Sequence, residues 1–208
     1  MLTRRHFLIT SATLFSGAIA GPSFGQDRVE FDASVTQPDP DPAANNPWGL
    51  HPRFMPTRVQ HNAGLTPGDI HVDAVAKYLY HIGSDGTAMR YGVAIGRNDL
   101  YQPGTFRIAR KAEWPSWTPT ANMIAREPEV YAQFANGVPG GPTNPLGARA
   151  FYLYLGNRDT YLRIHGTPQP WSIGTSASSG CVRMVNAHIM QLYENVAVGS
   201  TARLYPSA

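Results

Sequence analysis

The sequence contains a single cysteine, Cys181. One thiol has no partner within its own chain, so a disulfide framework is excluded. The interpretations that remain are a reactive thiol, a buried inert thiol and a cysteine that bridges two chains. The small residues beside Cys181 and the upstream His165 favour the reactive thiol.

Charge is also scarce. Charged residues make up 15% of the chain, and the formal net charge is +3. Loss of residues 1–20 would remove Arg4 and Arg5 and no acid, which lowers the net charge to +1. Binding of nucleic acid needs Lys and Arg clustered on one face, so we exclude that class of protein. The 20 glycines and 18 prolines are typical of short strands joined by many turns.

The N-terminal 25 residues are interpreted as an export signal. The twin pair Arg4-Arg5 precedes a mildly apolar stretch, 7–20, that is too short and too polar to span a bilayer. The pattern resembles a Tat signal, which exports folded proteins. We therefore expect a periplasmic protein with no stable membrane insertion after signal cleavage. Residues 26–47 are predicted to be a Pro- and Asp-rich linker, and residues 48–208 one folded domain.

Alternation of apolar and polar residues predicts a mainly β domain, a sandwich or barrel with a few short peripheral helices. One helix is predicted at 129–135 behind Pro128, and another at 187–196 with Asn186 as its N-cap. Residues 114–146 are long for a plain connection and are predicted to form a lid. The strands are predicted at 69–73, 77–82, 89–95, 105–109, 151–155, 160–165, 182–185 and 202–205.

The two segments around His165 and Cys181 have matching strand patterns. With a period of two, Leu162 and Ile164 face one side while Arg163 and His165 face the other. By the same rule, Val182 and Met184 point inward, and Cys181 and Arg183 share the polar side. If both segments lie in one sheet, thiol, imidazole and guanidinium open onto a common cleft.

This set of groups suits nucleophilic catalysis. A thiol with its ordinary pKa is only a few per cent thiolate at neutral pH, and an imidazole can take its proton or pair with the thiolate. No acid lies near His165 in sequence, so the Gly166 carbonyl is the simplest partner for its second nitrogen. The N–H groups of Ser179, Gly180 and Cys181 are candidates for an oxyanion hole. Arg183 is a candidate ligand for a substrate carboxylate, or equally a structural residue that holds the turn.

Other chemistries find less support. Ser-x-x-Lys and His-Glu-x-x-His do not occur in the sequence. A zinc site made by His71, Asp73 and His81 is conceivable on neighbouring strands, but the spacing supports it weakly. We predict no metal and no cofactor.

The motifs resemble those of the L,D-transpeptidase family, whose catalytic domain is of the YkuD type. The resemblance runs over residues 50–206 and rests on Ile164-His165-Gly166-Thr167 and on Ser178-Ser179-Gly180-Cys181-Val182-Arg183-Met184. Stretches at 67–73, 102–106 and 140–147 are similar too. The chain departs from the family at Ser179, where many members have histidine.

The resemblance implies a role for each residue. Cys181 would be the nucleophile, His165 the general base and acid, and Gly166 the carbonyl that orients the imidazole. Arg183, Thr167 and Ser178 are predicted to contact substrate. The acyl donor would be a peptidoglycan tetrapeptide stem, cut between its third and fourth residues. An amine would accept the acyl group from a thioester.

The sequence leaves the acceptor open. Candidate amines are those of stem diaminopimelate, a D-amino acid or a lipoprotein lysine. The same site with water as acceptor would be an L,D-carboxypeptidase or endopeptidase. A non-catalytic module that binds the cell wall is a third interpretation, and it predicts an unreactive thiol.

Overall fold

The computed structural model describes residues 31–37, 46–62 and 64–207. The predicted export signal at 1–25 lies outside these residues. The strands are β1 (Phe31–Gln37), β2 (Thr57–His61), β3 (Ile70–Asp73), β4 (Tyr78–Ile82), β5 (Thr87–Gly92), β6 (Ile95–Gly96), β7 (Gly104–Glu113), β8 (Arg149–Leu155), β9 (Arg158–Thr167), β10 (Ser176–Ser178), β11 (Val182–Val185) and β12 (Thr201–Leu204). The α-helices are α1 (Ala121–Arg126), α2 (Pro128–Tyr131) and α3 (Asn186–Asn195), and 3-10 turns lie at Pro52–Phe54, Asn98–Leu100, Ala132–Phe134 and Pro170–Ser172.

Ten strands form one sheet in the order β1-β2-β5-β4-β3-β12-β7-β8-β9-β11, and β6 pairs with β10 in a second, small sheet. Strands β8 and β9 form an antiparallel hairpin, whereas β11 runs parallel to β9. Parallel neighbours need a long crossover. Here residues 168–181 make it, and they bring Cys181 to the start of β11, beside β9.

The core explains why these segments are strands. Leu162 and Ile164 of β9 and Val182 and Met184 of β11 are buried, as their alternation predicts. Helix α3 covers this side of the sheet and contacts β8, β9 and β11. The largest fully buried side chains are Phe151, Ile70, Leu79, Ile82, Ile95, Ile108, Leu153, Ile164, Met184, Ile189, Leu192 and Val59.

The predicted fold class, a mainly β domain with a few short helices, is confirmed. Several boundaries differ. The strand predicted at 89–95 is split into β5 and β6, and the short strand predicted at 105–109 extends over the ten residues of β7. Strand β1 lies inside the segment predicted as a linker and pairs with β2.

The predicted N-cap of the last helix is wrong by one position. Asn186 is the first residue of α3, and Val185 precedes it as the cap. The Asn186 side chain is engaged elsewhere, because its Oδ1 accepts a hydrogen bond from the Ala148 N–H at 2.9 Å. A Cβ on Gly166 would lie 2.2 Å from that oxygen, so this packing requires glycine after His165.

Candidate active site

Cys181 lies at the end of a tight loop that precedes β11. The Ser178 hydroxyl donates to the Cys181 carbonyl and accepts from the Gly180 N–H at 3.2 Å. Gly180 has a φ of +126°, and a Cβ there would lie 2.9 Å from the Leu100 carbonyl oxygen. Only glycine fits this turn. Cys181, the next residue, is partly exposed.

The strand register brings the predicted residues onto one face. Val182 pairs with Ile164, and Arg183 pairs with His165. Cys181 therefore lies next to Arg163 on the neighbouring strand, one pair before the buried Val182 and Ile164. Because side chains alternate, Cys181, Arg163, His165 and Arg183 share the face opposite the core.

His165 is only 4% exposed, and its ring orientation is fixed. Nδ1 lies 2.5 Å from the Gly166 carbonyl oxygen, the contact expected from the sequence. A carbonyl accepts only, so Nδ1 carries the proton and Nε2 is the basic nitrogen. Burial, followed by the charge of Arg183, lowers the pKa of His165 to about 3, although the Gly166 and Leu146 carbonyls act in the opposite direction. The imidazole is therefore neutral at pH 7.

The thiol of Cys181 is neutral as well. Burial raises the pKa of the thiol, and the Arg163 N–H and the guanidinium groups of Arg163 and Arg183 offset this only partly. The sulfur lies 3.8 Å from the Tyr161 carbonyl oxygen, which can accept the S–H. Thiol and imidazole thus start as two uncharged groups and not as a thiolate–imidazolium pair.

Arg183 presents a guanidinium with few partners. Its Nη1 donates to Gln169 Oε1 at a long 3.4 Å, and its Nε is buried without a hydrogen-bond partner. Within residues 31–37, 46–62 and 64–207, no ion pair involves this arginine. Burial lowers its pKa. An incoming carboxylate would supply the missing acceptor.

Two predicted substrate contacts are not supported by the positions of their side chains. Ser178 is 1% exposed, and both hydrogen bonds of its hydroxyl stay within the nucleophile loop. Thr167 is 3% exposed, and its hydroxyl accepts from the Gln169 N–H at 3.1 Å. Both residues shape the backbone around the site and present little surface to a ligand.

Sequence reasoning missed the partner of Ser179. Its hydroxyl lies 2.6 Å from the Tyr131 hydroxyl, at the end of α2. Glu127, just before α2, forms an ion pair with the Arg97 guanidinium. The backbone N–H of Arg97 donates to the Ser178 carbonyl at 3.0 Å. Part of the predicted lid is thus bonded to the nucleophile loop. The proline- and tryptophan-rich composition indicated the segment, but nothing local pointed to Tyr131.

The described part of the chain holds no cluster of three or more His, Cys, Asp or Glu side chains that suits a metal ion. His71, from the weak zinc alternative, instead bonds through Nδ1 to the Tyr205 hydroxyl at 2.8 Å. Across the same residues, no helix is long and apolar enough to cross a membrane.

Fold and site together describe a mainly β protein with one thiol and one buried imidazole on adjacent parallel strands. Residues 67–204 match the family model "YkuD: L,D-transpeptidase catalytic domain". The chain therefore belongs to the L,D-transpeptidase family with a YkuD-type catalytic domain.

Individual relatives agree with this family. The chain is 31% identical over 196 residues to a Fuscovulum blasticum protein named "Putative L,D-transpeptidase in ATP synthase subunits region ORF 5", covering 93% of this chain and 92% of that one. It is 42% identical over 125 residues to the "Probable L,D-transpeptidase YbiS" of Escherichia coli K12, covering 59% of this chain but only 39% of YbiS.

A crystal structure from Brucella melitensis, described as a probable carnitine operon oxidoreductase, is also similar. Its sequence is 49% identical, the TM-score is 0.51, and the match covers 76% of this chain and 96% of that one. Its name describes that protein alone.

Proposed function

We propose that this protein is an L,D-transpeptidase that acts on peptidoglycan tetrapeptide stems through a thioester on Cys181. The observation that carries the proposal is the arrangement of two side chains. A partly exposed thiol and a buried imidazole share one face of adjacent strands, and Gly166 sets the imidazole tautomer. Family membership supports the reaction class.

The neutral starting pair determines how the first step proceeds. The thiol proton passes to Nε2 of His165 while the sulfur attacks the carbonyl between the third and fourth stem residues. Charge that develops on this carbonyl oxygen would be stabilised by the N–H groups of Ser179 and Cys181. The Gly180 N–H joins them only after it leaves Ser178 Oγ.

The tetrahedral intermediate then collapses. Its C–N bond breaks, His165 returns the proton to the leaving amine, and the terminal D-amino acid departs. The acyl group stays on sulfur as a thioester. An acceptor amine attacks the thioester, forms a new amide and restores the thiol. Arg183, with its unpaired Nε, is positioned to bind a stem carboxylate during these steps.

Mass spectrometry of the intact protein with a tetrapeptide stem tests the proposal. The wild type should gain the mass of the stem without its terminal residue, and Cys181→Ala should gain none. His165→Gln should acylate at least 100-fold more slowly, whereas His188→Gln, whose buried ring packs against Trp48 and Tyr91, should acylate at close to the wild-type rate. An adduct that survives Cys181→Ala would overturn the assignment, and wall binding without any wild-type adduct would support the non-catalytic module.

The acceptor is determined by a second experiment. Water can resolve the same thioester, so products with and without added amine measure transfer against hydrolysis. Muropeptide profiles of cells with and without the protein then identify whether diaminopimelate, a D-amino acid or a lipoprotein lysine accepts the acyl group.

The domain organisation follows from the proposed reaction. Residues 1–25 would export the protein to the periplasm, residues 26–47 would connect, and residues 48–208 would catalyse. A fusion of residues 1–25 to a reporter that is exported only when folded tests the first of these roles. Replacement of Arg4-Arg5 by Lys-Lys should abolish its export.

A further inference from the structure

Strand β9 contains an unusual bulge directly beside the nucleophile. Tyr152 pairs with Arg163 and Tyr154 pairs with Asp159, so three residues of β9, 160–162, oppose the single Leu153 of β8. Bulges with this surplus bend a strand and turn its main-chain groups away from the ladder. Tyr161, in the middle, has a φ of +61° and is 68% exposed. A bulky residue rarely adopts this left-handed conformation.

Two side chains hold the bulge in place. The Thr160 hydroxyl donates to the Leu153 carbonyl at 2.6 Å and accepts from the Leu162 N–H at 3.2 Å. Asp159 Oδ1 accepts from the Tyr161 N–H at 2.8 Å. These bonds replace the ladder hydrogen bonds that the bulge removes.

Asp159 also fixes the far end of the bulge. Its two oxygens accept from Nη1 and Nη2 of Arg163 at 2.7 and 2.8 Å, a bidentate pair. The Arg163 guanidinium lies 4.0 Å from the centre of the Tyr152 ring, and that of Arg110 lies 3.7 Å from it. Although burial alone would raise the pKa of Asp159, its bonds from Arg163 and Tyr161 bring the pKa below the ordinary value.

The bulge directs main-chain groups at the sulfur. The Tyr161 carbonyl oxygen lies 3.8 Å from Sγ of Cys181, and the backbone N–H of Arg163 acts as a donor that lowers the pKa of the same thiol. A carbonyl accepts the proton of a thiol, whereas an N–H donates to a thiolate. Both forms of the nucleophile therefore have a partner in this segment.

We propose that Asp159 is a positioning residue for Cys181, because it locks the bulge that presents the Tyr161 carbonyl and the Arg163 N–H to the sulfur. This proposal rests on the proposed function only in that it takes Cys181 to be the nucleophile. The geometry of the thiol itself is tested without any peptidoglycan.

The sign of the effect separates positioning from simple charge. The charged groups that influence the sulfur are Arg163, Arg183 and Asp159, and His165 on the same face is neutral. Loss of the Asp159 charge alone would favour the thiolate and speed alkylation. Loss of the bulge would remove the N–H donor and release the guanidinium, which disfavours the thiolate and slows alkylation.

The experiment compares the rates at which iodoacetamide alkylates Cys181 between pH 6 and 10. Asp159→Ala should be alkylated about 10-fold more slowly than wild type at pH 7, with its profile displaced to higher pH. Asp159→Asn keeps the acceptor for the Tyr161 N–H and loses the charge, so it should be alkylated at the wild-type rate or faster. Asp85→Ala is the matched control, because Asp85 likewise accepts from the N–H two residues on and pairs with Arg58, far from the site.

An Asp159→Ala profile that matches wild type, or one displaced to lower pH, would overturn the proposal. If that variant does not fold, Thr160→Val removes the second lock and should slow alkylation in the same direction; a wild-type rate there overturns the proposal equally. Failure of the stem-peptide reaction with normal alkylation profiles would count against the proposed function and leave this inference standing.

Discussion

The protonation state of Cys181 leads to a prediction that separates two kinds of cysteine enzyme. In one kind the histidine holds a thiolate at neutral pH, and the thiol is alkylated at a rate that levels off at low pH. Here burial raises the pKa of Cys181 and lowers that of His165 to about 3. An uncharged pair has no such plateau.

The magnitude follows from the thiolate fraction. An ordinary thiol with a pKa near 8.5 is about 3% ionised at pH 7, and Cys181 should be ionised less. Below its pKa the alkylation rate then rises about 10-fold per pH unit, which is about 100-fold from pH 6 to pH 8. The unfolded chain, whose thiol has its ordinary pKa, should react faster at pH 7 than the folded protein.

The assay is the rate of iodoacetamide incorporation, followed by intact mass in native buffer and in denaturant. Only Cys181 can react at a thiol, so Cys181→Ser supplies the background. A plateau below pH 7, or a folded protein that reacts faster than the denatured chain, would refute the neutral-pair description. Either result would mean that Cys181 is already a thiolate in the resting site.

Further predictions concern the loop and its supports. Gly180→Ala should reduce acylation by at least 100-fold, because its Cβ would lie 2.9 Å from the Leu100 carbonyl, while Gly156→Ala, also at positive φ but in open space, should acylate normally. Tyr131→Phe should slow acylation several-fold and cost about 1 kcal/mol in urea unfolding, because it loses the bond to Ser179; an unchanged rate would contradict a link between α2 and the loop. Lys111→Met should lower the free energy of unfolding by about 1–2 kcal/mol with normal acylation, because Nζ donates to the Val196 carbonyl just after α3.

Local patterning accounts for the part of the site that the sequence predicted. The burial of Leu162, Ile164, Val182 and Met184 follows from the two-residue period, and this places Cys181 and His165 on the opposite face. That the two segments lie in one sheet could only be assumed from the sequence, since no short pattern specifies that β9 and β11 become parallel neighbours. The pairing depends on the whole sheet.

The bulge could not be predicted, because the period of two assumes one residue for each position. The extra residues of the bulge, 160–162, are held by hydrogen bonds of the Asp159 and Thr160 side chains. These bonds follow from the folded structure and not from a local pattern. Strand β7 was underestimated for a similar reason. Its polar end, which includes Lys111, pairs with β8 and reaches the carbonyl groups at the end of α3.

Asn186 illustrates how a tertiary contact overrides a local rule. Asparagine before a helical pattern predicts an N-cap. In the structure its amide oxygen bonds instead to the Ala148 N–H, so the helix begins one residue earlier. The same amide fills the space beside Gly147 and Gly166, which connects the start of α3 to the backbone that orients His165.

A final prediction concerns the buried neutral histidines and the stability of the fold in acid. Burial lowers the pKa values of His71 and His188 to about 4, as it does for His165 to about 3. Their folded pKa values lie below the unfolded value of about 6.5, so the unfolded chain binds more protons. Their contribution is therefore complete above pH 6.5 and falls as the pH drops toward 4. Between pH 7 and pH 5, each of these histidines should lower the free energy of unfolding by about 2 kcal/mol. This is a large part of the roughly 5–15 kcal/mol that is typical of a folded domain.

His188 allows this to be tested away from the active site. It packs against Trp48 and Tyr91, and its Nδ1 is buried without a hydrogen-bond partner. In urea unfolding, His188→Leu should reduce the loss of stability between pH 7 and pH 5 by about 2 kcal/mol. Tyr91→Phe changes the same cluster without removing a group that titrates in this range, because burial raises the pKa of Tyr91 to about 12. If His188→Leu and the wild type lose the same amount of stability between pH 7 and pH 5, then His188 already carries a proton in the folded state. Burial would then not govern its charge.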